Sequence, residues 1–171
     1  TAMGYRCMRQ NTGGTNNVAG GYYAGYSNTT GSNNTSLGSR ALYANTSSNN
    51  NTAIGSNALA ASTASRCVAV GSDALASNIG GGENTAVGAE SLNKNSSGGN
   101  NTAVGYRSLY SNNDSNNTAI GYQSLKDSTG AANTAIGSNA GLKNTSGELN
   151  TYLGTYAGYE NLEGSSNVGL G

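Results

Sequence analysis

One period governs the whole chain. Glycines closing a Thr-Ala-Ile-Gly type motif recur as Gly4, Gly21, Gly38, Gly55, Gly71, Gly88, Gly105, Gly121, Gly137, Gly154 and Gly171, always 16 or 17 residues apart. A chain of ten such units must place equivalent residues in equivalent surroundings, so it folds as a stack of like modules rather than as an irregular globule. A unit of this length is too short for a helix pair, and the density of Gly and Asn disfavours helix in any case.

Each column of the alignment has its own chemistry. The residue before the anchor glycine is large and apolar in ten of eleven copies, from Met3 and Leu37 through Ile54, Val87 and Ile136 to Leu170; Gly20 is the exception. Two residues earlier every copy has Thr or Val, interrupted as Val at Val18, Val68 and Val168. Between these columns stands Ala, Ser or Gly except at Tyr152, and Asn precedes the Thr column except at Cys67. Asn-Thr-Ala-Ile is an alternating, β-branched segment bounded by Gly, which predicts a short strand. Alternation puts the Thr and Ile columns on one face and the Asn and Ala columns on the other. The larger residues, Ile54 and Val104 among them, are expected inside. The small-residue face is expected to pack closely on another backbone.

A second segment, typified by Ser39-Arg40-Ala41-Leu42-Tyr43, again pairs a small with a large apolar position and predicts a second strand. Asn/Ser/Gly stretches such as 27–33 and 95–100 predict turns. Two strands and two turns per unit make one coil of a parallel β-solenoid, an all-β fold. Ten coils at the strand spacing form a rod about 48 Å long, with Asn and Thr ladders able to hydrogen-bond along it. The array covers residues 1–171 as a single domain and, starting in mid-motif, reads as a fragment of a longer fibrous protein.

Composition narrows the function. Gly (27), Asn (27), Ser (23) and Thr (17) make up more than half of the 171 residues, and eight cations balance eight acids. Such a chain has no basic excess for a nucleic-acid partner, and no apolar run that could insert into a membrane. Without His it can build neither a Ser-His-Asp nucleophile nor an imidazole metal site. The acids fall on scattered columns with no repeated carboxylate pair of the kind glycoside hydrolysis uses. Neither a phosphate-cradling glycine loop nor a calcium-binding Gly/Asp repeat is found. We expect no catalysis, cofactor or metal. Cys7 and Cys67 lie about four coils apart, too far for an intrachain disulfide. They read either as small packed residues or as partners in intermolecular pairing.

Two tyrosine clusters are candidate contact sites for a glycan or receptor: Tyr22, Tyr23 and Tyr26 in one coil, and Tyr152, Tyr156 and Tyr159 in another. Packing between coils or chains is the competing role, since Tyr fills space while its hydroxyl stays wet. Sequons at Asn28, Asn45 and Asn144 would matter only in a glycosylating host.

The motifs Asn51-Thr52-Ala53-Ile54-Gly55, Asn101-Thr102-Ala103-Val104-Gly105 and Asn133-Thr134-Ala135-Ile136-Gly137, each followed by a small-residue/Leu segment, resemble the head repeats of trimeric autotransporter adhesins. They are also similar to N-T-A-I-G repeats of bacteriophage tail fibres. The resemblance covers the entire chain, although the adhesin repeat is shorter and the extra residues here fall in the loops. It implies a left-handed parallel β-roll in a homotrimer, exposed on a cell or virion surface, that holds or forms a receptor-binding surface. Two sizeable apolar side chains per unit are few for ordering a whole coil, which independently predicts a homo-oligomer, trimer or dimer. The alternative is a monomeric ice-binding β-solenoid, which needs the Thr column on an exposed face.

Overall fold

The computed structural model describes all residues from Thr1 to Gly171 and contains no helix. Eleven strands follow in chain order: β1 (Ala2–Met3), β2 (Val18–Gly20), β3 (Thr35–Leu37), β4 (Thr52–Ile54), β5 (Val68–Val70), β6 (Thr85–Val87), β7 (Thr102–Val104), β8 (Thr118–Ile120), β9 (Thr134–Ile136), β10 (Thr151–Leu153) and β11 (Val168–Leu170). They form one parallel sheet in sequential order, and each column pairs with itself: Thr85 with Thr102, Ala86 with Ala103, Val87 with Val104. The fold is an all-β parallel β-solenoid of about ten turns, one turn per repeat.

Each coil has one strand, not two. The expected second strand, Ser39 to Tyr43, is a run of turns. Its backbone is nonetheless stacked: Leu42 N–H donates to Ala58 O at 2.9 Å, and Leu59 N–H to Ala74 O at 3.0 Å. Of 109 backbone hydrogen bonds only 19 lie within the strands, so most of the cohesion between coils comes from turn walls that hydrogen-bond like a sheet. The reason for turns is a left-handed conformation at two corner positions. The second residue after each anchor has φ of 53–60°, as in Arg40 (56°) and Glu90 (57°). The fourth, the Leu column, has φ between 48° and 52° at Leu42, Leu59, Leu75, Leu92, Leu109 and Leu125. Such a backbone costs a non-glycine residue about 1–2 kcal/mol, and each of these leucines is buried, which contributes about 1.5–3 kcal/mol in return.

The anchor glycines meet a stricter requirement. At Gly88, φ is +132°, and a Cβ there would stand 2.6 Å from Gly105 O of the next coil. Neighbouring coils touch backbone to backbone along this column, and no side chain fits.

The strand faces are the reverse of the expectation. The small-residue column points inward: Ala53, Ala69, Ala86, Ala103, Ala119 and Ala135 are fully buried. The large column points outward, with Ile54 38% and Ile136 40% exposed and Val104 half-exposed. A coil is so narrow that the strand lies directly against its own opposite wall, the Leu column and the small residue before it. Only Ala-sized side chains fit between. The backbone that the small face packs against therefore belongs to the same chain. Alternation and vertical registration hold; inside and outside are exchanged.

The interior has two chemistries. A continuous apolar ribbon runs along the rod through the Ala and Leu columns. Beside it run two ladders of buried Asn. In the Asn column before the strand, each side-chain oxygen accepts the backbone N–H of the equivalent residue one coil on, as Asn101 N–H to Asn84 Oδ1 at 2.8 Å and Asn117 N–H to Asn101 Oδ1 at 2.9 Å. Its amide donates to a turn carbonyl, as Asn84 Nδ2 to Gly98 O at 2.7 Å. The second ladder lies seven residues after the anchor and is made of Asn11, Asn28, Asn45, Asn78, Asn95, Asn112, Asn144 and Asn161. Within it Asn45 Nδ2 donates to Asn28 Oδ1 at 2.8 Å, and Asn95 Nδ2 to Asn78 Oδ1 at 2.9 Å. Buried amides, satisfied in this way except at Asn95 Oδ1 and Asn144 Oδ1, replace the apolar volume that the sequence does not supply. Three sequon asparagines, Asn28, Asn45 and Asn144, belong to this ladder and are buried, so the folded coil has no room for a glycan on them.

Candidate functional site

Two surface features stand out from this repetitive framework. The first is the outer face of the sheet. From β2 to β11 the Thr and Ile columns stand side by side, about 6.6 Å apart along each strand and repeating about every 4.8 Å along the rod. The loop threonines bond the next coil, as Thr63 Oγ1 does to Ile79 O at 2.7 Å and Thr145 Oγ1 to Leu162 O at 2.7 Å. The seven strand threonines (35, 52, 85, 102, 118, 134 and 151) make no side-chain hydrogen bond within the chain. Their hydroxyls face outward beside a continuous row of aliphatic side chains. Treated as a strip about 48 Å by 10 Å, the face offers about 500 Å², near the upper end of what a monomer commonly leaves exposed.

The second feature is the tyrosine surface of the first three coils. Tyr22, Tyr23 and Tyr26 do come together, and the neighbouring coils add Tyr5 and Tyr43. Tyr5 stacks on Tyr22 with centroids 5.6 Å apart, and Tyr26 on Tyr43 at 5.5 Å. Tyr23 sits between them, edge-on to Tyr22 at 4.4 Å and tilted to Tyr26 at 4.9 Å. Two arginines complete the group. Arg6 Nη1 donates to Tyr23 Oη at 2.6 Å, and the Arg40 guanidinium lies over the Tyr43 ring at 4.9 Å. Tyr22, Tyr23, Arg40 and Tyr43 line an open recess of about 200 Å³. The columns themselves carried the signal for these additional members: Tyr5 and Tyr22 are equivalent residues, as are Arg6, Tyr23 and Arg40, and as are Tyr26 and Tyr43.

The C-terminal tyrosines separate. Tyr156 and Tyr159 meet edge-on at 5.4 Å on the surface, with Lys143 Nζ 5.1 Å from the Tyr159 ring. Tyr152 is not a contact residue: it is 2% exposed, lies in the inward Ala column, and its hydroxyl accepts from the Asn161 amide. It fits because the Leu column is Gly141 and Gly158 in the two coils it spans. A Cβ on Gly141 would stand 2.7 Å from the Tyr152 ring and 2.8 Å from Leu125, and one on Gly158 would stand closer still to the ring.

Several other ionisable groups pair with one another along the rod. Glu90 takes a bidentate pair from Arg107 at 3.0 and 3.3 Å, Glu83 pairs with Arg66 at 2.6 Å, and Glu160 pairs with Lys143 at 3.2 Å. No three His, Cys, Asp or Glu side chains cluster as metal ligands would. Cys7 and Cys67 are free thiols. Burial pushes the Cys67 thiol up from its ordinary value, partly offset by backbone N–H groups of Asn84 and Glu83 directed at it; burial raises Cys7 as well. Comparison with protein families, with curated proteins and with solved structures gives no match.

Proposed function

We propose that this chain is a non-catalytic segment of a surface-displayed fibre, a stiff rod that joins further copies of itself through the outer Thr–Ile face. The observation that carries the reading is the row of exposed Leu37, Ile54, Val87, Ile120, Ile136 and Leu153, continued by the half-exposed Val70 and Val104, down one side of a regular rod. Burying such a row removes apolar surface from water at no cost in new chain ordering. Two such faces apposed would bury about 1,000 Å², the lower bound for a specific interface. Three chains around an axis form the closed arrangement. This trimer, its left-handed coiling, the extracellular location and the role of holding a receptor-binding surface at a distance rest on the repeat's resemblance to adhesin heads and phage tail fibres. In this arrangement the large residues of the strand, not the small ones, meet the neighbouring chain.

A charged pair inserted in the row tests this. Ile54→Lys with Ile120→Lys leaves the interior untouched, so the variant should keep its β spectrum while its mass in solution falls to 17 kDa, the mass of one chain. A variant that keeps the mass of the unmodified protein would overturn the proposed interface.

One observation favours a second reading. The seven strand hydroxyls, free of protein partners and held in register along one parallel sheet, suit an ice-binding surface. Thermal hysteresis from a dilute monomer, abolished by Thr102→Lys, would establish that reading over the fibre; freezing with no hysteresis would remove it.

A further inference from the structure

We infer that the tyrosine–arginine recess on the first three coils binds an acidic saccharide, the sugar ring resting against Tyr23 and Tyr43 and its carboxylate or sulfate held by Arg40. Three observations carry this. The recess, about 200 Å³ and open to solvent, is sized for one sugar ring rather than for a drug-sized ligand. Its walls are aromatic, and the Tyr26 and Tyr43 hydroxyls have no partner within the chain, so they can meet sugar hydroxyls at the rim.

Charge supplies the third. Residues 1–72 contain Arg6, Arg9, Arg40 and Arg66 and no acid, whereas all eight acids lie between Asp73 and Glu163. The balanced net charge therefore conceals a basic end and an acidic end. None of the arginines at the recess is neutralised: the chain's four ion pairs begin at Arg66. Arg40 lies over the Tyr43 ring, where its guanidinium plane is held while its N–H groups remain free for an anion; Arg6 has one N–H committed to the Tyr23 hydroxyl and adds positive charge beside the recess. A single-stranded nucleic acid is the poorer fit. It needs a basic track several nucleotides long, and here the free guanidinium at the recess is that of Arg40 alone, since Arg66 on the next part of the rod is already paired with Glu83.

The biological meaning of such a site rests on the fibre reading, but the binding needs only the folded chain. Isothermal titration of the full chain with oligogalacturonate, a sulfated heparan-type oligosaccharide, a neutral cello-oligosaccharide and a short oligonucleotide tests it. At least one acidic sugar should bind, and added salt should weaken that binding. Arg40→Gln and Tyr43→Ala should each reduce it about tenfold or more, while Tyr156→Ala on the second aromatic pair leaves it unchanged. Arg40→Gln keeps the stem that covers Tyr43, so it tests the charge even if Tyr43→Ala loosens the coil. Equal binding of the neutral sugar, preference for the oligonucleotide, no binding at all, or indifference to Arg40→Gln would each overturn the inference. A chain that is monomeric yet binds the acidic sugar would refute the fibre and leave this site standing.

Discussion

The coils between Gly38 and Gly137 and the coils after them build the same interior from different parts. In the regular coils a fully buried Ala on the strand faces a buried Leu on the opposite wall, as with Ala86 and Leu92. In the last coils Tyr152 takes the strand position and Gly141 and Gly158 take the wall positions, so one ring does the filling of two leucines. The glycines keep the left-handed turn of the leucines they replace, with φ of 59° and 62° against 48–52°. The difference teaches that the columns are tied by volume and backbone conformation, not by residue identity. Both parts leave one oxygen of the Asn ladder buried without a partner: at Asn144 the amide of Asn161, which would continue the ladder, is turned to the Tyr152 hydroxyl, and at Asn95 the amide of Asn112 is turned to Asp114 O.

The sharpest way to break this comparison is to impose one solution on the other. Gly158→Leu in the presence of Tyr152 should destabilise the last coils by about 3–5 kcal/mol or unfold them, seen as a lost cooperative transition in urea. Tyr152→Ala should cost about 3–5 kcal/mol by leaving a cavity, and combining the two should recover most of either loss. Additive losses in that cycle would show that the ring and the wall are not coupled. In a regular coil, Leu92→Ala should cost about 2–4 kcal/mol, with no second substitution in a last coil able to offset it. A smaller gain is expected at the defect in the Asn ladder. The Asn84 N–H, which elsewhere along the column would meet an Asn oxygen, faces the Cys67 sulfur, a weaker acceptor. Cys67→Asn should therefore stabilise by about 1 kcal/mol in denaturant titration; a loss would mean the ladder bond is worth less than the thiol's packing.

The smallest effect is one of pH. The thiol of Cys67 is raised above its unfolded value, so its contribution is complete below about pH 8.5 and is lost as the pH rises toward the folded value. The denaturation midpoint should fall gently through that window in the unmodified chain and fall less in Cys67→Asn. Identical pH profiles would show that the thiol adds nothing.

Much of the architecture was legible because each strand residue pairs with its own column, and a period of 16 or 17 residues admits little else. What alternation could not say was which side is inside. Alternation assigns Thr52 and Ile54 to one face and Ala53 to the other; the habit of placing large residues inward then gives the wrong answer for a coil whose strand lies against its own far wall. The outward turns were concealed as well, because Leu is a poor residue for positive φ; Gly25, Gly141 and Gly158 in the same column were the clue. The second Asn ladder reads as loop polarity until Asn28, Asn45 and Asn95 are seen to recur at one offset. In the candidate site, Tyr22, Tyr23 and Tyr26 were found by clustering, whereas Arg6 and Arg40 contribute only because the coils stack. Tyr152 was misplaced because proximity in sequence to Tyr156 and Tyr159 carries no information about which wall a side chain faces.

Sedimentation equilibrium of the unmodified chain is the most direct test of the central claim, that the outer Thr–Ile face is buried between copies. The account predicts a species of about 51 kDa, three times the 17.0 kDa of one chain. A single species at the mass of one chain, with its β spectrum intact, would contradict it.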